Sequence, residues 1–240
     1  LDTNVSAVSE QDYLNSYSGF KSKSLVVHNG ISFKDYKFDL SCRSNLRSEL
    51  NIPSDRIVLL AVGRLVWEKN YINLLNAVGD CREQGVNLDL ILIGEGPLKN
   101  ELQAHARTIN IFSNVHFLGA KNSREWYSVA DIFISTSLRE GFGLALIEAI
   151  ANKRQVISTR TGITSVFPEN ALTIAENTDF KCISDTIIRS LKITAENRRK
   201  IVDVNHEFVR INFSIDKIAN NWIKIYRKLY SKHQKKNNKK

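Results

Sequence analysis

Two short segments of the chain, IVLLAVG from Ile57 and LDLILIG from Leu88, are apolar almost throughout, and both end in glycine. A strand that is exposed on one face alternates apolar and polar residues. Nearly uninterrupted apolar runs are instead typical of strands that are buried on both faces of a parallel sheet. Amphipathic segments separate these runs. This alternation predicts an α/β fold built on a doubly wound, Rossmann-like parallel sheet.

The pattern continues along the chain and predicts the order of the elements. We predict five strands, over Ile57–Gly63, Leu88–Gly94, Val115–Gly119, Asp131–Ser137 and Gln155–Arg160, and four helices, over Asn70–Gln84, Pro97–Asn110, Ser123–Ala130 and Phe142–Asn152. Pro97 suits a first helical turn, and Ser123 suits an N-cap. Residues 1–30 predict a short strand, a helix and a second strand. Three further helices are expected from Asp179 onward, with no regular structure after Tyr230.

The net charge of +9 lies in one segment. Nine of the 34 basic residues and none of the 25 acidic residues fall between Lys217 and Lys240, so the rest of the chain is neutral. A neutral body argues against a nucleic-acid partner. The basic segment also carries Trp222, Tyr226 and Tyr230, a composition that favours peripheral contact with an anionic membrane surface. The alternative is that its apolar stripe, from Ile215 to Leu229, docks on the protein.

The cellular location follows from two further features of the chain. No apolar run approaches the roughly 18 residues that a membrane-spanning helix needs. The three cysteines are far apart and lack metal-ligand spacing, which favours a reduced compartment. We therefore expect a cytoplasmic protein, with any membrane contact made at the inner face.

The loops that follow the strands are the places where a ligand is expected, because ligands of open α/β sheets bind beyond the carboxyl ends of the strands. The loop SLREGFGLALIE opens a helix. Its residues Gly141 and Gly143 leave backbone N–H groups open to an anion at the helix N-terminus. A strand–helix turn without a ligand is the alternative.

Charged residues follow the same strand ends. Arg64 and Lys69 could neutralise a pyrophosphate, although surface charges are the alternative. Glu148 lies in the apolar run LALIEAIA, where a buried carboxylate needs a hydrogen-bond donor such as a sugar hydroxyl. No Asp-x-Asp pair is present to hold a divalent ion. The charge of a leaving diphosphate would then be met by cations and helix N–H groups, without a metal.

These motifs together resemble the family-4 retaining glycosyltransferases of the GT-B fold, the group 1 glycosyltransferases. Glu140 and Glu148 match the E-x7-E motif of that family. The stretches VVHNGISF, AVGRLVWEKN, LIGEGPLKNEL, VHFLGA and WYSVADIFISTSLREGFGLALIEAIANK match further motifs in the same order. The resemblance runs from about Val8 to Val156. The chain departs from the family at Asn152–Lys153–Arg154–Gln155–Val156, where G-x-PV is usual, and at Thr161–Gly162–Ile163–Thr164–Ser165, where GG-x-PE is usual.

The resemblance also implies a role for individual residues. Glu140 would be the catalytic residue near the transferred sugar, Glu148 would hold the ribose hydroxyls, and Arg64 and Lys69 would bind the diphosphate. The remaining implied donor-binding positions are Gly141, Phe142, Gly143 and Leu144 for phosphate and sugar, Phe117, Leu118 and Gly119 for the base, and Gly94 and Glu95 in the neighbouring loop. His28 and His116 are expected to be structural.

The activity implied by the resemblance is transfer of a hexose-type sugar, with retained anomeric configuration. The donor would be a nucleoside diphosphate sugar, a UDP-sugar foremost, acting as co-substrate without any cofactor. The acceptor would be a glycan or a lipid-linked precursor, in polysaccharide or lipopolysaccharide biosynthesis. A GT-B nucleotide-sugar epimerase and a non-catalytic nucleotide-sugar-binding module remain the alternatives.

The expected domain organisation has three parts. Residues 1–35 would be a remnant of the N-terminal acceptor domain with the linker, residues 36–213 the donor-binding domain, and residues 214–240 the C-terminal helix and basic tail. The chain contains no Met. We therefore expect that a piece is missing at the front and that this chain alone turns over poorly or not at all.

Overall fold

A computed structural model describes residues 27–168 and 171–237. The elements predicted within residues 1–26 lie outside these ranges. Residues 27–30 form no strand, and Ile31 instead makes a single parallel bridge with Ser214. That bridge ties the start of the described chain to the junction between the last two helices.

The centre of the molecule is one sheet of six parallel strands in the order β3-β2-β1-β4-β5-β6. The strand order reverses between β1 and β4, which makes the sheet doubly wound, as predicted. The strands are β1 Ile57–Val62, β2 Leu88–Ile93, β3 Val115–Gly119, β4 Ile132–Ser135, β5 Gln155–Thr159 and β6 Thr173–Ala175. The five predicted strands are confirmed to within two residues at each end, and β6 was not predicted.

Eight α-helices are found in the described residues. They are α1 Leu40–Glu49, α2 Tyr71–Glu83, α3 Lys99–Thr108, α4 Trp126–Val129, α5 Leu144–Ala151, α6 Phe180–Leu191, α7 Ala195–Phe213 and α8 Ile215–Asn237. Three predicted helix starts were wrong, including that of the helix expected from Phe142, which begins at Leu144. The helix expected from Pro97 begins at Lys99, and Ser123 accepts the Trp126 N–H through its backbone carbonyl, at 3.0 Å, without a side-chain cap.

Helices cover both faces of the sheet. Leu59 and Leu60, neighbours on β1, are both fully buried, and they belong to different apolar cores. The core around Leu60 is completed by α4, α5 and α7, and the core around Leu59 by α2, α3 and α6. This two-sided burial explains why the β1 and β2 sequences are apolar almost throughout.

The last helix, α8, packs only at its beginning. Ile218 is buried, whereas Tyr226 and Tyr230 are 63% and 67% exposed. The helix continues to Asn237, so the prediction of no regular structure after Tyr230 was wrong for that stretch. Lys and Gln are good helix formers, and extending an existing helix costs little. Within the described ranges, no helix is both long and apolar enough to cross a membrane.

Candidate functional site

A cleft of 860 Å³ opens at the carboxyl ends of β1 and β4, where the strand order reverses. Ligands of doubly wound sheets bind at such a switch point. Its walls are the β1–α2 loop, the β4–α5 loop and the first turns of α5. The predicted site residues that line it are Arg64, Lys69, Glu140, Gly141, Phe142, Gly143, Leu144 and Glu148.

An ion pair joins the two loops that form the cleft. The Lys69 ammonium contacts the Glu140 carboxylate, and these side chains are 21% and 23% exposed. Two hydrogen bonds to backbone carbonyls also hold the same loops together. The Thr136 hydroxyl donates to the Lys69 carbonyl at 2.9 Å, and the Leu138 N–H donates to the Glu68 carbonyl at 2.7 Å. The pair is therefore supported by a fixed arrangement of both loops.

Gly63, at the end of β1, makes room for the Lys69 stem. A Cβ atom at this position would lie 3.0 Å from Lys69 Cε and 3.0 Å from the Tyr71 hydroxyl. Such separations are too tight for unstrained packing. The glycine that ends β1 thus allows Lys69 to reach the cleft.

Two further cations lie in the cleft. Arg64 and Arg139 are exposed and line it, and neither forms an ion pair within residues 27–168 and 171–237. Sequence reasoning missed Arg139, although its position directly before Glu140 was an available signal. The charges of Arg64 and Arg139, unlike that of Lys69, are not paired with a carboxylate in the described part of the chain, and they are available to an anionic ligand.

The N-terminus of α5 opens into the cleft. Gly143 is the N-cap and has a φ of 91°, a left-handed conformation that glycine adopts without strain. In the described part of the chain, the N–H groups of Gly141, Phe142 and Gly143 donate to no protein acceptor. Unsatisfied N–H groups at a helix N-terminus are a favourable place for phosphate.

The Phe142 ring belongs to the apolar core. It is 5% exposed, stacks on His28 at 5.5 Å and meets Phe213 edge-on at 5.7 Å. The backbone of Phe142 therefore remains as the part that can contact a ligand. The ring contact with Phe142 also shows that His28 packs against this core.

Glu148 lies on the second turn of α5 and lines the cleft. Its carboxylate accepts a hydrogen bond of 2.6 Å from the hydroxyl of the fully buried Tyr127. Burial, together with a hydrogen bond to Glu148, raises the pKa of Tyr36 to about 12. The protein itself thus supplies hydrogen-bond donors to the Glu148 carboxylate, in the form of two tyrosine hydroxyls. Sequence reasoning missed both tyrosines, because nothing in the pattern shows where their hydroxyls point.

The remaining predicted site residues are not part of the cleft lining. They are Phe117, Leu118 and Gly119 at the end of β3, and Gly94 and Glu95 after β2. The Gly94 N–H donates to the Gly119 carbonyl at 2.9 Å, and a Cβ at Gly94 would lie 1.9 Å from the Gly63 carbonyl oxygen. The chain segments at the ends of β1, β2 and β3 are therefore in close contact beside the cleft. Glu95 is paired with Lys99 at 2.8 Å.

Within the described ranges, no group of three or more His, Cys, Asp or Glu side chains is arranged to hold a metal ion. His116 lies 3.3 Å from the buried Asp89 carboxylate, away from the cleft.

Comparison with known proteins places the chain in a family. The family model described as glycosyl transferases group 1 matches residues 43–205. Among curated proteins, an alpha-monoglucosyldiacylglycerol synthase of Streptococcus pneumoniae is 31% identical over 154 residues, which cover 62% of this chain and 35% of the relative. An uncharacterised glycosyltransferase of Methanocaldococcus jannaschii is 32% identical over 168 residues, 68% of this chain and 41% of the relative. The chain spans well under half the length of these two relatives.

The fold also matches solved structures. HepE of Anabaena, crystallised with UDP and glucose, superposes with a TM-score of 0.84 at 19% identity, covering 94% of this chain and 62% of HepE. The doubly wound sheet with its switch-point cleft thus belongs to the Rossmann-like class found in GT-B glycosyltransferases. By its sequence match, the chain belongs to the glycosyl transferases group 1 family.

Proposed function

We propose that the cleft binds a nucleoside diphosphate sugar and that the chain supplies the donor-binding half of a metal-independent, retaining glycosyltransferase. The observation that carries this proposal is the convergence of Arg64, Lys69, the α5 N-terminus and Glu148 in one cleft at the switch point. The sugar would be a hexose, and Glu140 would lie beside it.

The charges of the cleft suit a diphosphate leaving group. Arg64, Lys69 and the unsatisfied N–H groups of α5 would neutralise the negative charge that grows on the diphosphate as the sugar–phosphate bond breaks. A carboxylate accepts hydrogen bonds only, so Glu148 suits the paired hydroxyls of a ribose. The acceptor hydroxyl would form the new glycosidic bond and give its proton to the departing phosphate. No metal ion is needed in this scheme.

The donor and acceptor classes are also part of the proposal. A UDP-sugar is favoured by the presence of UDP in the HepE complex, and a lipid-linked acceptor by the name of the streptococcal relative. A glycan is the other acceptor class that we propose. The proposed setting is polysaccharide or lipopolysaccharide biosynthesis in the cytoplasm.

Contact with a membrane surface would bring the protein to a lipid-linked acceptor. The α8 helix presents Ile223, Tyr226 and Tyr230 to solvent, and Trp222 stacks on Tyr226 at 5.6 Å. Lys217, Lys224, Arg227 and Lys228 are exposed along the same helix. Aromatic and basic residues in this combination favour an anionic interface.

Two measurements test the proposed activity. Calorimetric titration with UDP, GDP and ADP, each with and without EDTA, should show that one diphosphate binds best and that EDTA leaves the affinity unchanged. Incubation of the intact protein with the matching sugar donor and candidate acceptors should yield a glycoside of retained configuration, detected by NMR. A strict requirement for added Mg²⁺ would contradict the metal-independent scheme. An epimerised donor without transfer would favour the epimerase.

A further inference from the structure

The Lys69–Glu140 pair places the proposed phosphate ligand and the proposed catalytic carboxylate in direct contact. Of the three cations that line the cleft, Lys69 is the one whose charge is met by a carboxylate within the described ranges. A diphosphate that needs Lys69 must therefore displace Glu140 from it.

We infer that Glu140 is an internal competitor for the diphosphate site. It holds Lys69 when the donor is absent, and it is released toward the sugar when the diphosphate takes Lys69. This inference rests on the proposed function. It adds a regulatory role to the same cleft, because the arrival of the donor positions the carboxylate.

The exchange requires only a movement of side chains. The loops that carry Lys69 and Glu140 are joined by the Thr136 and Leu138 hydrogen bonds, so their backbones stay in place. The Ser137 hydroxyl, 3.5 Å from the Glu140 carboxylate, offers a second donor close by. A phosphate beside Lys69 would also repel the carboxylate, which drives it away from the ammonium.

The same competition favours product release. After transfer, the nucleoside diphosphate remains on Lys69 and the α5 N-terminus. Return of the Glu140 carboxylate to Lys69 lowers the affinity for that product. Glu140 therefore weakens the binding of a nucleoside diphosphate that carries no sugar.

A double-mutant cycle on the full chain tests this inference, with UDP and inorganic pyrophosphate as probes in calorimetry. Glu140→Gln keeps the shape of the side chain and removes its charge, and should tighten UDP binding about tenfold, equivalent to about 1.4 kcal/mol. Lys69→Ala should weaken it about tenfold or more. In the Lys69→Ala background, Glu140→Gln should produce almost no further change.

Glu68→Gln is the matched control. Glu68 also lines the cleft and is half-buried, but it pairs with no cation in the described part of the chain. Its neutralisation should change UDP affinity much less than Glu140→Gln does. Circular dichroism of each variant checks that the fold is retained.

The outcomes separate the inference from the proposed function. If Lys69→Ala weakens UDP binding but Glu140→Gln does not tighten it, the competition is refuted and the donor site stands. Equal tightening by Glu140→Gln with and without Lys69 would show a general charge effect, which also refutes the competition. If Lys69→Ala binds UDP as tightly as the unchanged chain, the proposed phosphate site itself is wrong.

Discussion

In the proposed function, the Glu148 carboxylate accepts hydrogen bonds from the protein and from the ligand at the same time. Its carboxylate accepts hydrogen bonds from the hydroxyls of Tyr127, at 2.6 Å, and of Tyr36, and an ionised carboxylate offers about four acceptor positions. Capacity thus remains for ribose hydroxyls. Glu148→Gln exchanges one acceptor oxygen for a donor NH₂ group, and we expect it to weaken UDP binding about tenfold while the fold persists. Calorimetry with UDP and with 2′-deoxy-UDP should show that the substitution also abolishes discrimination between them.

The control for this prediction is Glu101→Gln, which removes an exposed helical carboxylate outside the cleft. It should leave both affinities unchanged. If the unchanged chain binds UDP and 2′-deoxy-UDP equally well, Glu148 has no ribose to hold and its role is structural.

The site residues that sequence could predict are those whose position follows from strand ends. Arg64, Lys69 and Glu140 lie in the loops that follow buried strands, so parallel strands bring them to one edge. Tyr127 was not predicted, because its burial is apparent from the sequence but the direction of its hydroxyl depends on how α4 packs against α5. Phe117 lies at the same edge but two strands from the switch point, and the strand order that separates it from the cleft cannot be derived from local patterns.

The end of α5 offers a test of how a helix is terminated. Lys153 has a φ of 58°, and the Lys153 and Arg154 N–H groups donate to the carbonyls of Ile150 and Ala149, each at 2.9 Å. This is a Schellman motif, whose left-handed position usually carries glycine. The departure from G-x-PV noted in the sequence thus places a lysine in the conformation that glycine favours.

We expect Lys153→Gly to be more stable than Lys153→Ala by about 1 kcal/mol, because a left-handed conformation strains any residue with a Cβ. Both variants lose the exposed ion pair with Asp203, so their difference isolates the backbone effect. Urea denaturation measures it. Equal stability of the two variants would mean that the left-handed conformation is absent in solution.

Among the elements, the strands were predicted well and α1 was missed for a physical reason. The α1 sequence, LSCRSNLRSE, is largely polar and has no three-four apolar stripe. Ion pairs hold the helix instead: Arg43 and Arg47 converge on Asp131 at 2.5 and 2.7 Å. Contacts so distant along the chain leave no periodic signal. The Asp39 N-cap, which accepts from the Cys42 N–H at 3.0 Å, was the local sign that could have revealed it.

Considered as a whole, the molecule separates two kinds of positive charge. The three cations of the cleft lie beside three carboxylates, within a body that is neutral overall, whereas the entire net charge of +9 lies from Lys217 onward. The C-terminal excess extends along α8, whose later turns show Tyr226 and Tyr230 to solvent. None of the basic residues that the structure describes in α8 lines the cleft, so this charge does not contribute a contact to the proposed diphosphate site. Its combination with exposed aromatic residues suits an anionic surface.

We therefore expect the full chain to sediment with vesicles that contain acidic phospholipid and to remain in solution with neutral vesicles. Binding should fall as salt is raised, because screening weakens attraction between exposed charges.

Two variants separate the contributions of the basic and the aromatic residues to vesicle binding. Deletion of residues 231–240 removes basic residues, and Tyr226→Ser with Tyr230→Ser removes exposed aromatic surface, so each should weaken binding to acidic vesicles. Lys192→Ala, a basic residue outside α8, should bind as the unchanged chain does. Equal partition onto neutral and acidic vesicles, or onto neither, would show that the tail is solvated charge and that α8 serves another contact.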